Sequence, residues 1–275
     1  PVEAQEACWQ ARAEQMLQRQ HDLERGPLFQ SALLRLGPES AILVLVFNHI
    51  VYDNVWSSGI FFRELGALYS AFTTGQTQTP LAPLEYQFAD YAVWERERAS
   101  KGDLKPQLAY WKQQLADLPE PLQVPGDHLR PDTPSLKGGQ VAFQVPADLA
   151  NAVADFARAE SATTFMALIA CWQMLLHRYS QKDDILVGTP TGRRYLAETE
   201  DMIGLFINNL VLRARFTPGL TFRGLLAQMR TATIDAFSND ELPFEDLVEA
   251  LEVPRSRAGS PLFQHLFIHR NNTHG

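Results

Sequence analysis

AILVLVFNHIVYDN, residues 41–54, decides how this chain reads. Its first seven residues, Ala41 to Phe47, carry no polar side chain, the pattern of a strand buried on both faces. Asn48 and His49 then bring polar groups out where such a strand reaches its edge. Downstream, Ile60, Phe61, Leu65, Leu68, Tyr69 and Phe72 recur at helical spacing, and Asp53, Asn54 or Ser57 is placed to cap that helix. His49 therefore lies at a strand-to-helix junction, where an imidazole can be held rigidly near helix N–H groups. On the residues alone, a structural histidine and a chemically active one both fit.

Outward from this segment the elements alternate without a strict βαβ rhythm. A helix is expected over 3–20 and a first strand over 28–36. Further helices follow at about 56–72, 85–99 and 105–117, the last started by Pro106. Residues 118–139 hold five prolines and three glycines, the clearest linker in the chain. Beyond it, Val141, Phe143 and Val145 alternate as a strand should. Helices at about 147–160, 163–178, 221–237 and 243–251 are interleaved with strands at 185–188, 205–216 and 262–269. The expected fold class is α+β, with a first lobe over 1–125, a linker over 126–139 and a second lobe over 140–275.

Composition narrows the function classes. Of 275 residues, 45% are hydrophobic and 20% charged, with a formal net charge of -8 spread along the chain. No basic stripe interleaved with aromatics is present, so nucleic acid is not an expected partner. No apolar run reaches the roughly 20 residues that span a bilayer, and no signal-peptide pattern opens the chain, so no membrane partner and a cytoplasmic location are expected. Cys8 and Cys171 are too far apart for a sequence-readable disulfide or metal motif, and read as small buried side chains. His21, His128 and His274 read as surface residues, and His177 as a cation at a helix C-terminus. His265 and His269 lie in a strand with no carboxylate beside them, a poor metal pair. No G-x-S-x-G, H-E-x-x-H, phosphate loop or C-x-x-C motif occurs. Chemistry resting on one histidine suits an activated substrate, with the protein supplying acid–base help and positioning.

Five ordered segments carry a family resemblance. Asn48 to Asn54 resembles the H-H-x-x-x-D-G motif of non-ribosomal peptide synthetase condensation domains. Phe88 to Trp94, FADYAVW, resembles Y-x-D-F-A-x-W, and Ile203 to Asn209, IGLFINN, resembles I-G-x-F-V-N-T. Asp240 to Glu245, DELPFE, resembles H-Q-D-L-P-F-E, and Arg257 to Phe263, RAGSPLF, loosely resembles R-x-x-S-R-N-P-L-F. The resemblance covers nearly the whole chain, yet the matched region corresponds to the middle of the family's domain. It implies two lobes similar to chloramphenicol acetyltransferase, each a mixed sheet with packed helices, incomplete at both termini.

The resemblance also implies a reaction. Phosphopantetheine arms of donor and acceptor carrier domains would enter a tunnel between the lobes, with an adenylation domain adjoining in the same synthetase. The acceptor amine would attack the donor acyl or peptidyl thioester and form an amide, with no cofactor bound by the domain itself. His49 aligns with the catalytic histidine, and Asp53 with an aspartate that pairs with an arginine. Pro190 to Arg194 resembles P-I-A-G-R and makes Arg194 that partner, a pair expected to tie the lobes together. Asn48 replaces the first histidine, Asn54 replaces the motif glycine, and Val55 reads as an inserted residue. Asn208 and Asn209 are placed along the substrate tunnel, while Phe88, Tyr91 and Trp94 are expected to pack the first lobe. The second function class is a non-catalytic condensation-like interface domain that recruits a tailoring enzyme to the assembly line. Epimerase and heterocyclising variants fit less well, because their own motif residues are missing.

Overall fold

The computed structural model describes residues 2–54, 56–128, 138–254 and 259–270. They form two compact α+β units, Pro1–Glu95 with Arg194–Phe206, and Arg96–Arg193 with Ile207–Gly275. This division differs from the expected lobes at 1–125 and 140–275. Residues 96–125 group with the second unit and 194–206 return to the first.

In the first unit α1 (Val2–Leu17) is followed by β1 (Phe29–Arg35) and β2 (Ala41–Phe47). The two strands pair antiparallel, with Phe29 opposite Phe47 and Leu33 opposite Leu43. β2 was expected to be buried on both faces, but within it only Val46 is buried, and Ala41 and Leu43 are exposed. A lone hairpin has one packed face, so an all-apolar strand there leaves half its side chains open. Helix α2 (Trp56–Thr73) follows, then α3 (Phe88–Lys101), whose residues from Arg96 onward are grouped with the second unit. Tyr91, Met202 and Phe206 form a small buried cluster, with Phe88 against it.

The second unit holds α4 (Lys105–Gln114), α5 (Ala147–Ala159), α6 (Thr164–Ser180), β3 (Asp184–Gly192), β4 (Ile207–Arg215), α7 (Phe222–Phe237) and α8 (Phe244–Ala250). β3 and β4 pair antiparallel from Asp184↔Arg215 to Gly192↔Ile207. Thr163 and Thr221 cap α6 and α7 by accepting the Met166 and Gly224 N–H groups at 3.2 and 3.1 Å. Ile169, Ile185, Leu210, Leu212 and Trp111 are buried in one core, and the Trp111 indole N–H donates to the Asn239 carbonyl at 2.7 Å. Arg213 donates to both Asp184 oxygens at 2.8 and 2.6 Å and to the carbonyls of Gln114, Ala116 and Asp117. One guanidinium thus joins β4 to β3 and to the C-terminal end of α4.

Two expected strands are not formed. Val141 and Phe143 alternate correctly but are 89% and 83% exposed, with no ladder partner among the described residues. A period-2 pattern without a neighbouring strand is only extended chain. Residues 262–269 shrink to one parallel bridge, Leu266 beside Gly188. Leu262 and Phe263 are consecutive and both buried, which a strand packed on one face cannot arrange. The Phe263 ring fits because Gly188 has no side chain; a Cβ there would lie 2.4 Å from it. Cys8 and Cys171, expected to be buried, are both exposed free thiols.

No single described helix is long and apolar enough to cross a membrane. α5 and α6 reach that length only together, across a 105° bend, and α6 buries Met166, Ala167, Ile169, Ala170 and Leu176 in the core.

Val55, Pro131, Pro134, Arg257, Ala258 and His274 lie outside the described residues, so the expected insertion, part of the linker and part of the fifth motif do as well.

Candidate active site

The turn after β2 is built by Asn48. Its N–H donates to the Leu28 carbonyl at 2.8 Å, and its side-chain oxygen accepts the Ile50 N–H at 3.1 Å. This side chain caps the short 3₁₀ turn His49–Val51, so an asparagine in place of the motif's first histidine has a local structural role. His49 is exposed, and its Nδ1 lies 2.8 Å from the Tyr52 carbonyl oxygen. A carbonyl can only accept, so Nδ1 carries the proton. In the neutral ring Nε2 then holds the lone pair. The imidazole is therefore no buried structural group, and its basic nitrogen is set by a backbone contact.

Asp53 anchors the next turn. One carboxylate oxygen accepts the Trp56 and Ser57 N–H groups at 3.0 and 2.8 Å, capping α2. The other accepts Arg194 Nη2 at 2.9 Å, with side-chain exposures of 0% for Asp53 and 5% for Arg194. The distance expected from the motif alignment is met. Asp53 and Arg194 come from the segments expected as separate lobes, yet both lie in the first compact unit, so the pair ties residues 194–206 to the turn before α2 within that unit. The reason is local. Arg194 Nη1 also donates to the Met202 carbonyl at 2.8 Å and to that of Thr199, and its guanidinium lies 4.0 Å over the Phe206 ring. One arginine thus folds 194–206 upon itself and fastens it to the N-terminal end of α2.

Sequence reasoning placed Ser57 only as a possible cap. Its hydroxyl instead donates to the Gly204 carbonyl and accepts the Gly204 N–H, each at 3.1 Å, while the Asp53 N–H donates to the same carbonyl at 3.0 Å. Gly204 is required by packing, since a Cβ would lie 2.3 Å from the Phe88 ring. Gly204→Ala is expected to cost about 1–3 kcal/mol through overpacking, read as a lower urea midpoint with an unchanged slope. Combining it with Phe88→Leu should return part of that loss.

The aromatic motif packs largely as expected. Tyr91 is buried with Phe88 half-buried beside Phe206, whereas Trp94 stays partly exposed against Tyr91. Asn208, expected along a substrate tunnel, is buried among backbone groups. It is 4% exposed, and its amide donates to the Asp240 and Leu242 carbonyls while its oxygen accepts the Phe244 N–H. Its hydrogen-bonding groups are thus consumed in holding the turn into α8. Asn209, on the other face of β4, is half-buried.

The same turn is gripped from α3 and α4. Arg98 donates to both Glu241 oxygens at 2.8 and 3.3 Å, and Gln107 bonds the Glu241 carboxylate and the N–H groups of Glu241 and Leu242. The Arg98 hydrogen bond holds the Glu241 carboxyl below its ordinary value. Burial opposes this, and the charge of Arg98, the Gln107 bond and the charge of Arg193 add to it. A lowered folded value stabilises above the unfolded value of about 4.5, and that stability is lost as pH falls through the folded value. Glu241→Gln should therefore give a shallower fall in melting temperature on acidification below about pH 4.5 than the parent shows. Calorimetry across that range checks it.

Among the described residues no three His, Cys, Asp or Glu side chains converge as a metal cluster.

A family model described as "Condensation domain" matches residues 2–274. The chain belongs to the condensation-domain family. A linear gramicidin synthase of Brevibacillus parabrevis is 42% identical to this condensation domain over 253 residues, covering 92% of the chain and 3% of that protein. Among solved structures, the X-domain from teicoplanin biosynthesis is 30% identical with a TM-score of 0.85, covering 90% of this chain and 56% of that one. A complex of the X-domain and OxyB from teicoplanin biosynthesis gives 29% identity and a TM-score of 0.88, covering 93% and 57%. The chain spans 3–5% of the length of the first curated relatives and just over half of these solved chains.

Proposed function

We propose that this condensation domain forms an amide between an acyl or peptidyl thioester on a donor carrier domain and an aminoacyl thioester on an acceptor carrier domain. The observation that carries this reading is His49, an exposed residue whose ring is held at Nδ1 by the Tyr52 carbonyl. The attacking amine bonds to the thioester carbonyl carbon and the carbon–sulfur bond breaks. His49 Nε2 takes the proton that the amine loses, and the departing thiolate gains one. Thioesters are already activated, so positioning and one proton transfer suffice. Both substrates arrive on phosphopantetheine arms, loaded by adenylation domains of the same assembly line. Asn48, Asp53 and Arg194 keep the His49 turn in place, and Asn209 is the remaining tunnel candidate.

A recruiting function is the second reading. It is favoured by the likeness to an X-domain found in a complex with OxyB, together with Asn48 and Asn54 at motif positions. The discriminating experiment supplies the parent protein with loaded donor and acceptor carriers and looks for carrier-bound amide by mass spectrometry. Amide product supports condensation. No product, with a tailoring oxygenase binding the parent protein, supports recruitment.

A further inference from the structure

Tyr52 occupies one of the variable positions of the histidine motif, yet it is held on every side. Its ring stacks on Phe47 with centroids 3.9 Å apart and planes 8° from parallel, and Phe47 stacks in turn on Phe29 at 4.5 Å. Its hydroxyl donates to Ser58 Oγ at 2.8 Å, and Ser58 Oγ donates to the Asn54 carbonyl at 3.0 Å. Its main-chain carbonyl accepts His49 Nδ1 at 2.8 Å. The residue that fixes the imidazole is thus tied through Ser58 to Asn54, which stands where the motif has glycine. Asn54 is not among the described residues with positive φ, so the turn here is maintained by bonds rather than by glycine's backbone freedom.

We infer that Tyr52 is a positioning residue for His49, acting through the Tyr52–Ser58–Asn54 chain of hydrogen bonds. The hydroxyl and the stacked ring fix the plane of residue 52, and its carbonyl then fixes which imidazole nitrogen carries the proton. The inference deepens the reading of His49 as the proton acceptor and rests on it. Two alternative anchors are already committed elsewhere: Asp53 caps α2, and Ser57 holds Gly204.

The test uses the parent protein with loaded carriers. Tyr52→Phe removes only the hydroxyl, and is expected to lower kcat on the order of 10-fold with KM for the acceptor carrier unchanged. Melting should fall by no more than about 4 °C, the size one hydrogen bond carries in a large domain. Ser58→Ala should match it, Ser58→Thr should retain activity, and the double variant should be no slower than the slower single one. Independent, multiplying losses would overturn the inference. So would a Tyr52→Phe rate within about twofold of the parent while His49→Ala is strongly impaired, given that misplacement alone costs more. If His49→Ala itself is unimpaired, the proposed function fails instead.

A readout without activity covers an inactive parent protein. Carbethoxylation by diethyl pyrocarbonate, followed peptide by peptide, attacks the lone-pair nitrogen. Tyr52→Phe should slow it at His49 Nε2 and leave His177, whose Nδ1 is held by the Lys182 carbonyl at 2.8 Å, unchanged. Equal His49 rates in the two proteins would overturn the inference.

Discussion

His49→Ala in the parent protein, supplied with loaded donor and acceptor carriers, is expected to lower amide formation by about 100-fold or more. The melting temperature should stay close to that of the parent, because the residue is exposed and little apolar surface is uncovered by its removal. The pairing of these two results matters. A histidine used structurally would lose stability and activity together, since its departure strands a buried partner. His49→Gln offers a second comparison: it can keep a hydrogen bond to the amine but cannot accept its proton. Orientation alone would leave that variant much of its rate, whereas proton transfer would leave it as slow as the alanine variant. If His49→Ala retains rates within about threefold, acid–base chemistry at this ring is excluded.

Arg194→Ala is expected to cost about 3–5 kcal/mol, because it leaves the Asp53 carboxylate buried without its counter-charge. The loss extends beyond the pair. The guanidinium also bonds the Met202 and Thr199 carbonyls and stacks on Phe206, so the 194–206 segment loses its tie to α2. Arg194→Lys should recover little, since a single ammonium cannot serve three separated acceptors in the arginine's planar geometry. A double change, Asp53→Leu with Arg194→Met, should cost less than the two single changes added, because no charge is left stranded. Urea denaturation of the parent, Arg194→Ala, Arg194→Lys, the singles Asp53→Leu and Arg194→Met and their double measures these differences, and a loss under about 1 kcal/mol for Arg194→Ala would reduce the pair to a surface-like contact. Amide formation should fall with Arg194→Ala as well, as Asp53 directly follows the residue that holds His49.

The sequence by itself determined most of the elements, because local information suffices for them. Helical spacing gave α2, α6 and α7 within a few residues, and the apolar runs gave β1, β2 and β4. It also determined the family, since five short motifs in order depend on residue identity and not on geometry. The Asp53–Arg194 partnership was legible for the same reason, though the two lie 141 positions apart.

Tertiary structure decided what periodicity cannot encode. Val141, Phe143 and Val145 have a strand's alternation, but a ladder also requires a neighbour. Asn208 reads as a polar residue available to substrate, yet the 240–244 turn lies where it can claim all the side-chain groups. That Arg194 belongs to the same unit as Asp53 depends on carbonyls at 199 and 202 that carry no side-chain signature. The tautomer of His49 was equally hidden, since it is set by a main-chain oxygen, and every residue has one. Side-chain identity is written in the sequence; which backbone groups meet a side chain is fixed only when the chain has folded and each buried donor has found its acceptor.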